Sequence, residues 1–522
     1  MKANVASGTG AVWIRAAIAR CLAARVGALV AAGVAGSGCS AGGSAPDGAT
    51  RVAGPSGLPE PAGEPTPARP GTPSVGPSGE GPGDLLAPGD VPVSSPAPGL
   101  PAARHRGLIE RQVACADGAT TRVSGTVYIP SGQLPLYNVM VYVPETELLP
   151  LSQGVSCSCE ISGTPIVSAL TDSNGHFVLE NVPVGDGIPL VIQVGDWRRE
   201  IDIGTVEPCV ETAVPDGSLR LPANQAQGDI PRIAVATGRL DALECLVRKL
   251  GVDESEFTNP RGGGRVQLFS GSYGTARYSD ELNEGGMFPP AEALWSDVPS
   301  LSQYDIVLLS CEGERDYTGN KSDTALEAMH DYANLGGRVF ASHYHSVWFQ
   351  RGPGLFPEIA TFTSENDREY SSITGQVVTD FPKGEALAQW IESSGVAVGG
   401  EVPIEGGAHT IVQENELYAQ RWLETIEPPS VQYISANTPL GASDAEQCGR
   451  VVLSDLHVSP GPRTVDGVRV EADFSAPEVY FPEGCVTDTL SPQEAVLAFM
   501  LFDLSACIVP DDQAPVPPVI IR

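Results

Sequence analysis

Hydrophobic and polar positions change their period along this chain, and each change predicts a different kind of element. From Val123 they alternate. Val123-Ser-Gly-Thr-Val-Tyr-Ile129 predicts a strand, Pro130-Ser-Gly132 a turn, and Asn138-Val-Met-Val-Tyr-Val143 the returning strand. Within Ala169–Gly185, Asp172-Ser-Asn-Gly175 supplies a tight turn, after which Phe177 and Leu179 point to one face. Pro189–Val194 and Arg198–Ile203 complete a set of short strands, together a small antiparallel β-sandwich. From Arg232 the pattern is different. Ile233–Gly238, Val266–Phe269, Tyr304–Ser310, Arg338–Ser342, Val431–Ser435 and Arg450–Ser454 read as apolar strands. Leu240–Leu250, Thr324–Asn334, Lys383–Ser394 and Ser491–Leu504 carry helical spacing. Strands alternating with helices predict βαβ units and a mostly parallel sheet.

The first hundred residues have neither period. Arg15, Arg20 and Arg25 precede an apolar run of small residues, Val26–Gly38, that ends at Cys39. That run is shorter than the roughly 20 residues needed to span a bilayer, and it has the size of a signal h-region. Residues 41–100 hold 14 Pro and 13 Gly. Such a composition buries too little apolar surface to offset chain entropy, which predicts a disordered tether with a reach on the order of 40 Å.

Composition adds a charge and a compartment. Lys+Arg 31 against Asp+Glu 64 gives a net charge of −33. That balance repels nucleic acid and anionic lipid surfaces, so no nucleic-acid partner is expected. Eleven cysteines are present. Cys21 and Cys39 belong to the leader. Of the other nine, four (115, 157, 159, 209) fall in the sandwich and five (245, 311, 448, 485, 507) beyond it, so one thiol of the second group should stay free. In an exported chain the rest should be oxidised. A bond between Cys311 and Cys485 is expected, because both should lie at the carboxyl edge of the sheet.

Gly36-Ser37-Gly38-Cys39 resembles a bacterial lipobox, although Gly36 stands where that pattern usually has an aliphatic residue. It implies lipidation of Cys39, a membrane anchor and a location at the outer membrane or, without lipid, secretion. Val123, Gly125 and Val127, then Thr171, Asp172, Gly175, Phe177, Leu179, Val182, Pro183 and Gly185, resemble the carboxypeptidase regulatory-like (prealbumin-like) sandwich, a non-catalytic module. Tyr304–Ser310, Gly336–His343 and Gly449–His457 resemble the class I glutamine amidotransferase-like superfamily and its trehalose-utilisation (ThuA-like) group. The last implies an α/β flavodoxin-like fold, here with a large insertion near 345–430. It departs at the nucleophile position, where His343 replaces cysteine, so amidotransferase chemistry is not expected. The implied order is signal peptide 1–38, tether 39–112, sandwich 113–222, α/β domain 228–510 and tail 511–522.

Ligands of an open parallel sheet bind beyond the carboxyl ends of its strands. Cys311 and Glu312 follow one strand, Ser342, His343 and His345 another, and His457 a third. His409, in Gly406-Gly-Ala-His409, lies on a loop that can fold over the same edge. In extended chain His343 and His345 point to one side. With His457, and with Glu312 or His409 nearby, they compose a candidate Zn²⁺ site with an open position for water. In that reading the protein is a metal-dependent hydrolase of carbohydrate or a related extracellular substrate, with Glu312, His343 and His457 as catalytic candidates. His457 or Glu312 alternatively serves as a general base. The competing reading is a non-enzymatic surface protein that binds a glycan, peptide or envelope component, with Ser342, His345 and His409 among its contacts. The plainest is a set of solvated histidines beside packing aromatics such as Tyr344 and Trp348. Asp172 and Asn174 suit a turn cap better than a calcium site.

Overall fold

The computed structural model describes residues 105–517 apart from 160, 314–318, 364–371, 459–462, 466–467, 471–479, 484 and 486–488. The leader, Cys39 and the tether up to residue 104 lie outside the described residues. Among the described residues no helix is long and apolar enough to cross a membrane.

The alternating segment forms β1 (Arg122–Tyr128), β2 (Met140–Pro144), β3 (Pro165–Leu170), β4 (His176–Glu180), β5 (Pro189–Val194), β6 (Trp197–Asp202), β7 (Glu211–Ala213) and β8 (Leu219–Arg220). One sheet pairs β1 antiparallel to β4 and parallel to β7 and β8; the other runs β3-β2-β5-β6, all antiparallel. The Asp172 turn is capped as expected: its carboxylate accepts from Asn174 N at 2.8 Å and His176 N at 3.0 Å. Residues 105–112, assigned to the tether on composition, are instead packed. Leu108 is fully buried and Arg111 Nε donates to Val184 O at 2.7 Å. A leucine and an arginine with partners on the sandwich outweigh the local polarity.

Beyond it come β9 (Ile233–Ala236), α1 (Leu243–Lys249), β10 (Phe257–Thr258), β11 (Val266–Phe269), α2 (Val298–Leu301), β12 (Ile306–Leu309), α3 (Asp323–Asn334), β13 (Arg338–Ser342) and α4 (Val347–Gln350). Then follow β14 (Ala360–Phe362), β15 (Ile373–Val377), α5 (Pro382–Ser393), β16 (Glu401–Ile404), β17 (Ile411–Glu414), β18 (Gln420–Ile426), β19 (Pro429–Thr438), β20 (Gly449–Ser454) and α6 (Pro492–Ser505). Ten strands make one sheet in the order β10-β11-β9-β12-β13-β20-β19-β18-β15-β16. The first six are parallel to their neighbours, as the βαβ pattern predicts. The last four are antiparallel. The Val431 run therefore belongs to a hairpin, and the long insertion extends the sheet.

Nearly every residue of α6 is buried. A helix apolar all round needs cover on every side. It finds cover from both halves of the chain: Phe499 stacks on Tyr137 with ring centroids 5.7 Å apart, and Phe502 lies 5.8 Å from Trp197. One apolar cluster runs from Val127, Phe177 and Ile192 of the small sheets to Val235, Leu308 and Phe340 of the large one. The change near residues 222–228 is a change of sheet type within one packed unit.

Four disulfides close the structure, and this number belongs to an oxidising, extracytoplasmic environment. Cys115–Cys209 joins the segment before β1 to the turn between β6 and β7. Cys157–Cys448 and Cys159–Cys507 tie the loop after β2 to the second half. The expected Cys311–Cys485 bond is not formed. Cys485 pairs with Cys245 of α1, Cα atoms 5.1 Å apart, and Cys311 is the free thiol. The reason is topological: Phe481 packs 4.7 Å from Phe257 of β10, which carries Cys485 to the outer parallel edge, away from Cys311.

Candidate functional site

The parallel strands deliver short polar segments to their carboxyl edge. After β9 come Gly238 and Asp241; after β12, Ser310, Cys311 and Glu312; at the end of β13, Ser342 and His343; after β20, Asp455 and His457. Gly238 lies so close to the carbonyl oxygen of Cys311 that any side chain there would collide with it. Glycine thus lets the first two tips converge.

Three of these side chains meet. Cys311 Sγ stands 3.6 Å from His343 Nδ1, and the rings of His343 and His457 are 4.8 Å apart and nearly perpendicular, at 83°. One ligand atom from each of Cys311, His343 and His457 lies within 4.8 Å of the others, and among the described residues this is the only such group of His, Cys, Asp or Glu. All three are at most 4% exposed. His343 adopts φ 44°, a left-handed conformation costly for a residue with a Cβ and frequent at functional sites. Burial acts to raise the Cys311 thiol, but the neighbouring His457 and His343 more than reverse this and bring it down to about 7. Near neutral pH the thiol is thus poised between its two forms, and the thiolate is stabilised by charge on the two histidines.

Carboxylates surround the group. Asp241 accepts from Val458 N at 2.8 Å and Cys311 N at 3.3 Å, takes the hydroxyl of Ser342, and stands 3.9 Å from His457 Nδ1. Asp455 accepts from Thr410 N at 2.6 Å and Ile411 N at 2.9 Å. Burial raises Asp455 above the ordinary carboxyl range, with the charge of His343 acting against it.

His345 and Glu312, expected in the same pocket, are turned away from it. Residues 343–346 form a 3₁₀ turn, so His343 and His345 do not share the one-sided projection of extended chain. His345 Nε2 donates to Ser310 O at 2.9 Å and its Nδ1 accepts from Trp348 Nε1 at 2.9 Å. Burial, followed by the Lys321 charge, lowers it to about 4, and it is neutral at pH 7. Glu312 pairs with Lys321, whose ammonium sits 5.7 Å above the ring of Trp295, and also accepts from Ser272 N at 2.8 Å. Ser342 is buried and spends its hydroxyl on Asp241. The His409 loop does fold over this edge: Ala408 N donates to Asp455 O and His457 N to Gly406 O. Gly406, at φ +71°, lets the chain pass the imidazole of His457, where a Cβ would come within 2.9 Å of Cδ2. His409 itself is half-buried and outside the three-residue group.

No family model matches this chain, and no curated protein matches it. Solved structures align only loosely. A type II cohesin–X-dockerin complex from Acetivibrio cellulolyticus, an N-terminal interface mutant, is 19% identical over 28% of this chain and 88% of its own, with a TM-score of 0.15. A C-terminal interface mutant of that complex gives 19% over 27% and 78%, with a TM-score of 0.14. A 9R-lipoxygenase from Cyanothece gives 10% over 68% and 46%, with a TM-score of 0.10. At these scores no likeness of fold or function is drawn, and the chemistry rests on the site.

Two members of that site escape a reading based on histidines. Cys311 is set aside when cysteines are paired off, and Asp241 lies five residues beyond β9. The strand-end rule already reaches Cys311, which the pairing of cysteines sets aside; extended to every carboxylate beyond a parallel strand, it reaches Asp241 too.

Proposed function

We propose that this protein is an extracytoplasmic metal-dependent hydrolase whose centre is Cys311, His343 and His457. The observation that carries this reading is the meeting of three donor atoms within 4.8 Å of one another, one pair of them at a zinc-like spacing. On a tetrahedral zinc, a sulfur at about 2.3 Å and a nitrogen at 2.0–2.1 Å stand about 3.6 Å apart, and Cys311 Sγ and His343 Nδ1 are separated by 3.6 Å. A low thiol pKa favours the thiolate ligand, and three protein donors leave the fourth position of a catalytic site to water. Cys311, His343 and His457 would hold the ion, which would supply Lewis-acid activation of a water for hydrolysis. A glycan or related envelope component is the proposed substrate class.

The architecture proposed around this centre is a prealbumin-like sandwich followed by a ThuA-like α/β domain. The capped Asp172 turn, the two small sheets sharing one core and the parallel β10–β20 array support it. Lipidation of Cys39 would anchor the chain in the outer membrane, and labelled palmitate incorporation abolished by Cys39→Ala tests that point.

A second reading is favoured by the thiol itself: Cys311 as a nucleophile activated by His343, without metal. Its burial is shared by His343 and His457, so burial does not separate the two readings. Elemental analysis of protein purified without chelator separates the readings. About one zinc per chain, lost in His343→Ala and Cys311→Ser, is the expected result. No zinc, with single-site alkylation of Cys311 by an electrophile, would favour the nucleophile. No zinc, with melting shifts caused by sugars, would favour a binding protein.

A further inference from the structure

We infer that Asp241 is the positioning residue of this centre, a single carboxylate that sets all three donor-bearing strand tips. The inference rests on the metal-centre reading above and adds to it the group that fixes the ligands. Asp241 is 3% exposed and follows β9, the strand adjacent to β12. Its contacts with Cys311, Ser342, Val458 and His457 fall on a donor or on that donor's immediate neighbour. The amide of Cys311 donates to Oδ2, as does the hydroxyl of Ser342, the residue before His343. The amide of Val458, the residue after His457, donates to Oδ1 at 2.8 Å, while Oδ2 stands 3.9 Å from Nδ1 of His457. Three loops from three strands thus converge on one side chain.

Both oxygens act as acceptors, and this makes the role specific to a carboxylate. Asparagine would turn an NH₂ toward either the Val458 amide or the Cys311–Ser342 pair, placing donor against donor. Asp241 Oδ2 also stands 3.9 Å from His457 Nδ1, the side from which outer-sphere carboxylates orient the rings of zinc-bound histidines. Ser342 and His343 are adjacent, so the hydroxyl held by Asp241 also helps keep His343 in its left-handed conformation.

The test compares wild type, Asp241→Asn and Ser342→Ala. Zinc affinity is measured by competition with a chromophoric chelator, and cobalt(II) substitution reports geometry through its visible bands and thiolate charge transfer. Expected for Asp241→Asn is a 10- to 100-fold loss of zinc affinity with weakened cobalt bands, and a melting temperature of the metal-free protein within a few degrees of wild type. Ser342→Ala, which removes one contact and keeps the carboxylate, should show a smaller loss in the same direction; it takes over the test if Asp241→Asn does not fold. Unchanged affinity and unchanged cobalt spectra in the folded variants would overturn the inference. Should wild type itself bind neither metal, the hydrolase reading fails on its own. Asp241 is then judged by amide hydrogen exchange in peptides containing Cys311 and Val458. Faster exchange at both in Asp241→Asn supports its positioning role, and unchanged exchange refutes it.

Discussion

Two histidines separated by one residue behave in opposite ways here, and the backbone between them is the reason. His343 lies in the left-handed region at the strand's end, facing Cys311; His345, one turn on, is sealed between Ser310 and Trp348. The sequence placed His343 and His457 at the right edge, but side-chain direction depends on a 3₁₀ turn that no local pattern announces. The environments differ in consequence. His345 is held neutral, at about 4, mainly by burial. In the unfolded chain it titrates near 6.5. Between these values the unfolded chain takes up a proton that the folded one refuses. The contribution of neutral His345 is therefore intact above about pH 6.5 and is lost as pH falls toward 4, a loss of about 3 kcal/mol across the window. Denaturant midpoints of metal-free protein at pH 7 and pH 4.5 should show the decline, and His345→Gln should flatten its slope. A slope identical in the variant would assign the decline to other groups.

Elements were legible to within a few residues where packing is one-sided or fully apolar: β5, β11, β13, α3 and α6 lie close to where periodicity puts them. The antiparallel half of the large sheet was not. Polar residues such as Glu401, Gln420 and Glu424 interrupt its strands, and pairing direction is set by partners distant in sequence. The ends of β19 and β20 depend on another long-range device. Arg450 is fully buried and contacts Asp503 at 3.0 Å and Asp511 at 2.8 Å, while Lys383 of α5 contacts Asp503 at 2.9 Å. Burial alone would raise Asp511, but Arg450 and Lys383 outweigh it and hold the carboxyl below its ordinary value. The C-terminal tail is thereby fastened at its first residue, Asp511. Replacing Arg450 with Met leaves two buried carboxylates with a single cation, a change that typically costs 3–5 kcal/mol. Urea unfolding should show a loss of about this size. A loss below about 1 kcal/mol would mean that water reaches the cluster.

At the scale of the whole molecule, the two periodicities in the sequence suggest two domains, and the packing joins them. A domain boundary is a place where few contacts cross. Here Trp390 of α5 donates to Pro135 O at 2.8 Å, Tyr137 stacks on Phe499, Trp197 meets Phe502, and two disulfides link the loop after β2 to Cys448 and Cys507. Gly195, at φ +53°, abuts the carbonyl of Ser505 so closely that no side chain fits between them. Separating residues 228–517 from the sandwich would expose one flank of α6, including Phe499 and Phe502, and leave Cys448 and Cys507 without partners. Aromatic residues of this size bury 150–250 Å² each, so the isolated half would present an apolar patch large enough to aggregate. The prediction is that 105–517, produced in an oxidising compartment, melts in one cooperative transition, whereas 228–517 alone is recovered insoluble or binds the dye ANS strongly. Soluble 228–517 with a sharp thermal transition and no dye binding would show that the α/β half is a domain in its own right, with the sandwich a detachable neighbour.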